Sequence, residues 1–169
     1  MVDELARRQN LPDNVSSATD ATRHETSYRT AKTMDEIRKY FTELTATQLE
    51  QLTQLGELYR TWNERINVVS RKDIDNLYLH HVLHSLAIAK YVQFKTGTRV
   101  LDFGTGGGFP GIPLAIYDRS LKITLFDSLK KRLTFLESVM DELKLTNCRT
   151  LHGRAEDLSH QDYRESFDI

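Results

Sequence analysis

The stretch Val100-Leu101-Asp102-Phe103-Gly104-Thr105-Gly106-Gly107-Gly108-Phe109-Pro110-Gly111 decides how the rest of the chain is read. Five of the eight glycines in this 169-residue sequence fall within it. The apolar run ending at Phe103 reads as a short buried strand, and Gly104 is then the first residue of a turn. Pro110 and Pro113 suit the first turn of a following helix, where a missing amide proton costs little. Glycine tolerates positive φ and lets a ligand approach the backbone with no Cβ in the way. A turn of this kind at the carboxyl end of a first strand is where open α/β sheets take their ligands.

Two fingerprints overlap in the turn. Gly106-x-Gly108-x-x-Gly111 has the form of a dinucleotide fingerprint, in which a helix N-terminus holds a pyrophosphate. Asp102-x-Gly104-x-Gly106-x-Gly108 starts at the end of the strand and resembles the acidic-x-Gly-x-Gly-x-Gly pattern of class I methyltransferases. The register after Phe103 puts the dinucleotide glycines two residues too late, which favours the second form. No Gly-Lys-Ser/Thr follows, so a P-loop is excluded. Asp127 closes the next predicted strand, where a carboxylate can accept both ribose hydroxyls of an adenosine group. It can equally serve, with Ser128, as the cap of the next helix. Glu156 and Asp157 follow a third strand, at a place where an acidic side chain meets an adenine amino group or lies in a polar loop.

Outward from the turn, strands and helices alternate. Arg99–Phe103, Lys122–Phe126 and Cys148–Leu151 read as strands, and Leu129–Leu145 as the helix between the last two. This alternation predicts parallel strands joined by right-handed crossovers. Phe167-Asp168-Ile169 reads as the opening of a fourth strand, with later strands of the sheet expected to be missing. Upstream, residues 34–96 read as a helical cap. Ile37, Tyr40, Phe41 and Leu44 share a face, and Thr47 with Glu50 has capping-box spacing. Leu52, Leu55, Tyr59, Trp62 and Ile66 make an apolar stripe. A further helix is expected over Asp75–Val92, with Leu79, Val82, Leu83, Leu86 and Ile88 among its apolar positions. Residues 1–33 carry few large apolar side chains and read as a flexible extension, with Met34 a candidate natural start. The α/β domain then occupies residues 97–169.

Composition narrows the setting without naming a partner. The formal charge is −1, with 39% hydrophobic and 28% charged residues. A nucleic-acid partner therefore needs local basic patches, and Arg71, Lys72, Lys131 and Arg132 are the candidates. No apolar run reaches the ~18 residues of a membrane span, and the first residues lack a secretory apolar core. The single cysteine, Cys148, rules out an internal disulfide framework and fits a reducing compartment, so a cytoplasmic protein is expected. His80 and His84 have i, i+4 spacing, but His81 stands where a zincin places glutamate, and no metal is expected.

Taken in order, Trp62-Asn63, Ile66-Asn67, Ser70, His81, Ser85, Asp102-Phe-Gly-Thr-Gly-Gly-Gly-Phe-Pro-Gly-Ile-Pro, Asp127-Ser128, Lys131-Arg132, Phe135-Leu136 and Arg154-Ala-Glu156 resemble the GidB family of small-subunit ribosomal RNA methyltransferases. The likeness runs from about residue 34 to the end, and the Phe109-Pro110-Gly111-Ile112-Pro113 continuation is its most specific part. The resemblance implies a Rossmann-like class I S-adenosylmethionine-dependent fold and methylation of guanine N7 in 16S ribosomal RNA, with S-adenosylmethionine as donor. It implies cofactor contacts at Gly104, Phe109, Ala155 and Glu156, to which the turn and the end of the second strand add Gly106 and Asp127 as cofactor-binding candidates. Phe109 would lie beside the methionine or adenosyl part, and Ala155 and Glu156 would address the adenine. N7 has a lone pair and no proton, so no general base is assigned. A family arginine beyond the fourth strand falls past Ile169. The family usually has Arg-His at His80-His81, and often Asp at His84. A monomer acting on the small subunit is expected. A nicotinamide-dependent oxidoreductase and a non-catalytic RNA-binding module are the competing functional classes.

Overall fold

The computed structural model describes residues 15–159, 163 and 165–169. Helix α1 spans Val15–Tyr40. The helix expected to open at Met34 thus starts much earlier, and the backbone of residues 15–33, read from the sequence as a flexible extension, is helical. Residues 1–14 of that extension lie outside the described residues. Near the end of α1 the helix enters the core through Met34 and Ile37, followed by Phe41, all buried.

Helix α2, Ala46–Asn63, carries a capping box, but its members are Thr45 and Gln48 rather than Thr47 and Glu50. The Gln48 amide donates to Thr45 Oγ1 (3.3 Å) and the Thr45 amide to Gln48 Oε1 (2.8 Å). The register is fixed from a distance. Gln48 Nε2 donates to the carbonyls of Ile116 (2.9 Å) and Tyr117 (2.7 Å), and Gln51 Nε2 donates to that of Leu143 (2.6 Å). A Thr47–Glu50 box would forfeit those bonds. The stripe of α2 is real, with Leu52, Leu55 and Tyr59 fully buried.

The continuous helix expected from Asp75 is instead three pieces: a 3₁₀ turn Ile74–Asn76, a π-helical segment Leu77–Leu83 and α3, His84–Tyr91. The wider π turn changes which positions face inward. Leu77, Tyr78 and Val82 are buried, whereas Leu79 is 47% exposed.

Strands β1 (Arg99–Phe103), β2 (Lys122–Asp127) and β3 (Cys148–His152) form a parallel sheet in the order β1-β2-β3. Helices α4 (Gly111–Tyr117) and α5 (Lys130–Glu142) are the crossovers. They lie over the face that includes Ile123 and Leu125, with Ile112, Ile116, Phe135, Leu136 and Val139 in the shared core. The expected opening of a fourth strand is present as two residues on the other edge of β1. The Ile169 amide donates to the Arg99 carbonyl (3.3 Å) and the Leu101 amide to the Ile169 carbonyl (2.8 Å), the alternation of a parallel pair. Asp168 fastens it by accepting from the Arg99 backbone amide (2.8 Å) and from Nη2 of the same residue (2.8 Å). β1 therefore has neighbours on both sides, reached by winding in opposite directions. Its carboxyl end is a topological switch point.

Candidate cofactor site at the glycine turn

The turn leaves β1 at this switch point and is held from the sheet side by two aspartates. Asp102 is buried, and its Oδ2 accepts from Thr105 Oγ1 (2.6 Å) and from the Gly111 amide (2.9 Å). Burial pushes its carboxyl above the ordinary aspartate value, against the pull of those two bonds. The Thr105 amide donates to the Phe126 carbonyl (2.9 Å), which lays the turn across the end of β2.

Asp127, 4% exposed, sits at the end of β2. Its Oδ2 accepts from the Gly106 amide (2.9 Å), and its Oδ1 from the Leu129 amide (2.8 Å) at the start of α5. Arg132 Nη1 approaches Oδ2 at 3.4 Å. A carboxylate has about four lone-pair sites, so among the described residues one acceptor position on Oδ1 is left unused by these three contacts. The bond from Leu129 turns the chain toward α5 but is not a cap, since the helix N-cap, Leu129 itself, has no side-chain cap bond.

The glycines of the turn divide by what surrounds them. Gly104 (φ +71°) and Gly106 (φ +56°) require positive φ. A Cβ at Gly104 would meet nothing within 4 Å, and one at Gly106 only the Gly104 carbonyl at 3.8 Å. Gly108 and Gly111 are walled in. A Cβ at Gly108 would lie 2.6 Å from Leu136 Cδ2 and 2.8 Å from Ile112 Cγ1, and one at Gly111 would collide with Leu125 and sit 2.8 Å from Asp102 Oδ2. The open side of the turn is the Gly104–Gly106 half, and the other half is packing.

The cap grips the same turn from the opposite side. Tyr59 of α2 donates its hydroxyl to the Gly107 carbonyl through a very short bond, and its ring meets Phe109 at 5.1 Å and Phe135 at 5.0 Å. Burial holds the Tyr59 phenol far above its ordinary range, so it stays a donor. Asn63 Oδ1 accepts from the amides of Val68 and Val69, both at 2.9 Å, which places Val68 against Gly107. The ring of His81 lies 5.0 Å from that of Phe109. Asp73 accepts from His80 Nδ1 and His81 Nε2, each at 2.6 Å, and these bonds hold its carboxyl below the ordinary value.

Of the residues singled out in the sequence, Gly104, Gly106, Asp127 and Arg132 come together at the carboxyl end of the sheet. Phe109 lies toward the cap, between Tyr59 and His81. Ala155 and Glu156 form an exposed 3₁₀ turn (Ala155–Ser159) after β3, drawn toward the site by the Gly153 amide on the Asp127 carbonyl at 3.3 Å. Arg71, Lys72 and Lys131 are exposed, whereas Arg132 is turned toward Asp127 and is less available to an outside phosphate. Sequence reading missed Tyr59, Thr105, Asp73 and the ring of His81 as parts of the site. The polar cluster Asp73 with His80-His81 was the available signal for two of them, while Tyr59 looked like any other core position.

The arrangement also has close relatives. A family model described as rRNA small subunit methyltransferase G matches residues 48–169. The protein named Ribosomal RNA small subunit methyltransferase G from Porphyromonas gingivalis is 56% identical over 133 residues, covering 79% of this chain and 58% of that protein. Proteins of the same name from Flavobacterium johnsoniae and Cytophaga hutchinsonii are 54% and 55% identical, covering 73% and 75% of this chain and 59% and 61% of their own length. The chain thus spans about three-fifths of the length of these relatives. On the matched span and this identity, the chain belongs to the GidB family, rRNA small subunit methyltransferase G.

Proposed function

We propose that this chain acts as an S-adenosylmethionine-dependent methyltransferase on N7 of a guanine in 16S ribosomal RNA. The observation that carries the reading is the open Gly104–Gly106 half of the turn, lying at the switch point with the carboxylate of Asp127 beneath it. A side chain at either glycine would stand in the space a ligand needs, and the remaining lone pair of Asp127 suits a ribose hydroxyl. Backbone at Gly104 and Gly106 would flank the methionine part, Phe109 would border it, and Ala155 with Glu156 would meet the adenine. Bound there, S-adenosylmethionine supplies an electrophilic methyl group on a sulfonium.

The chain's own task is then alignment rather than proton transfer. Guanine N7 presents a lone pair with no proton to remove, so no residue is assigned as general base. Orientation of reacting groups is worth roughly 7–11 kcal/mol at the limit. Arg71, Lys72 and Lys131 are placed to meet phosphates, which position RNA without specifying sequence. Arg132 is proposed for the same surface with a divided role, since it also neighbours Asp127. We further propose a helical cap over residues 34–96, an α/β domain over 97–169 and a dispensable segment 1–33, in a monomer working in the cytoplasm on the small subunit.

The oxidoreductase reading has less support, because the second glycine of its fingerprint, Gly108, whose backbone should lie open to a pyrophosphate, is closed in by Leu136 and Ile112. Thermal shift separates the two. S-adenosylhomocysteine should raise Tm and NAD should not, and the reverse would overturn the assignment. Methyl transfer to undermethylated small subunits then distinguishes an enzyme from an RNA-binding module.

A further inference from the structure

Beside the residues already assigned, the cap places a small polar assembly against the turn. Two successive histidines of the π-helical segment, His80 and His81, share the carboxylate of Asp73 at 2.6 Å each. π-Helical turns are uncommon and concentrate at functional sites. Here the wider turn lets neighbouring residues reach one acceptor. Backbone bonds from the amides of Asp73 (2.8 Å) and Ile74 (3.1 Å) to the Ser70 carbonyl hold the loop that carries the carboxylate. Ser85 Oγ, in turn, donates to the His81 carbonyl (2.5 Å). The product of these contacts is a fixed His81 ring, tilted 37° to Phe109 at 5.0 Å.

Phe109 has two ring neighbours, and they differ in kind. Tyr59 is fully buried in the core, and its hydroxyl is committed to Gly107. His81 is partly exposed and is oriented by one carboxylate on a surface loop. Because Phe109 directly follows the walled-in Gly108 and precedes Pro110, its ring and the backbone of the turn move together. His81 thus adds a hold on the turn from the cap side, beside those of Asp102, Asp127 and Tyr59.

We propose that His81 is a positioning residue for the cofactor site, acting through Phe109, and that Asp73 anchors it. The inference rests on the reading of the turn as an S-adenosylmethionine site. Neither residue is assigned a contact with the cofactor or the reacting atoms. The role is to hold the Phe109 ring, and with it the Gly104–Gly111 backbone, in the geometry that accepts the ligand. An aromatic ring in place of His81 should preserve part of that geometry, and so should an amide in place of the Asp73 carboxylate.

The test measures S-adenosylhomocysteine affinity by calorimetry on the full chain, well below Tm, with far-UV circular dichroism as the check on folding. His81→Ala and Asp73→Ala should weaken binding by about three- to tenfold, the scale of one aromatic pair. His81→Phe, which restores the ring but not its anchor, should recover only part of the affinity lost in His81→Ala, and Asp73→Asn should fall between parent and Asp73→Ala. A merely structural role would lower Tm and leave the affinity measured well below Tm unmoved. If either alanine variant unfolds, His81→Phe and Asp73→Asn carry the comparison. Unchanged affinity in the folded alanine variants, or a His81→Phe no better than His81→Ala, overturns this inference alone. A parent that binds no S-adenosylhomocysteine overturns the cofactor reading and the inference with it.

Discussion

Replacing Asp127 with asparagine removes one charge and leaves the shape unchanged, so the result isolates what the carboxylate does. Asp127 accepts from the amides of Gly106 and Leu129 with different oxygens. An asparagine offers one carbonyl oxygen, so its NH₂ group must face one of those two amides. A buried amide left without a partner costs about 1–3 kcal/mol, and losing negative charge at the entry to α5 adds about 0.3–1 kcal/mol. Arg132 adds little, because at 39% side-chain exposure and 3.4 Å its ion pair is largely screened and is worth about 0–1 kcal/mol. The sum is a loss of about 1–5 kcal/mol, or roughly 3–20 °C in Tm for a chain of this size. Urea melts followed by circular dichroism measure it, and a double-mutant cycle with Arg132→Ala should give a coupling below about 1 kcal/mol. An Asp127→Asn protein within about 0.5 kcal/mol of the parent would refute the claim that this carboxylate organises turn and helix together. A coupling above about 2 kcal/mol would mean that Arg132, not the backbone amides, is its main partner.

The other predictions concern separate parts of the molecule. Gly104→Ala meets only the strain of its positive φ, about 1–2 kcal/mol, and should fold but lose S-adenosylhomocysteine binding. Gly108→Ala adds a clash with Leu136 and Ile112 and should cost about 3 kcal/mol or more in a urea melt. Equal stability losses for the two would contradict the division of the turn into open and packed halves. The carboxyl of Asp168, drawn from 3.8 to about 2 chiefly by its bonds from Arg99, should titrate near that value by NMR. Its contribution is present above the unfolded value and disappears as pH falls through the folded one. A midpoint at 3.8 would break the link to β1. Cys148, whose thiol burial pushes up to about 12, should react with a thiol reagent at pH 8 at least about a hundredfold more slowly than in urea. Comparable rates would place it at the surface.

The α/β half was legible from the sequence because its signals are local. β1 has the bounds read from its apolar run, β2 and β3 each extend one residue further than read, through Asp127 and His152, and α5 follows from its spacing of Leu133, Leu136 and Val139. The cap was less legible because distant partners choose its register. Thr45-x-x-Gln48 and Thr47-x-x-Glu50 both have capping-box spacing, and the first prevails because Gln48 also reaches Ile116 and Tyr117, partners the local sequence does not reveal. The same holds for the site. Gly104, Gly106 and Asp127 stand out because the turn demands them, whereas Tyr59 lies 48 residues from the carbonyl it grips. Asp127 showed a general limit of pattern reading. The sequence posed ribose contact and helix cap as alternatives, whereas the bonds observed go to the Gly106 amide of the turn and to Leu129 ahead of α5, with no side-chain cap on the helix.

The reach of the two α2 glutamines also sets an order of events in time. Gln48 finds its acceptors 68 and 69 residues downstream, and Gln51 finds Leu143 92 residues downstream. At synthesis rates of about 5–20 residues per second, α2 is made roughly 5–20 seconds before its last partner exists. During that interval the stripe of Leu52, Leu55 and Tyr59 lacks the crossover helices α4 and α5 that later pack against α2. The nascent cap is then a ready client for a chaperone, and slowed translation between residues 63 and 143 should lower the yield of soluble protein more than the same delay placed earlier.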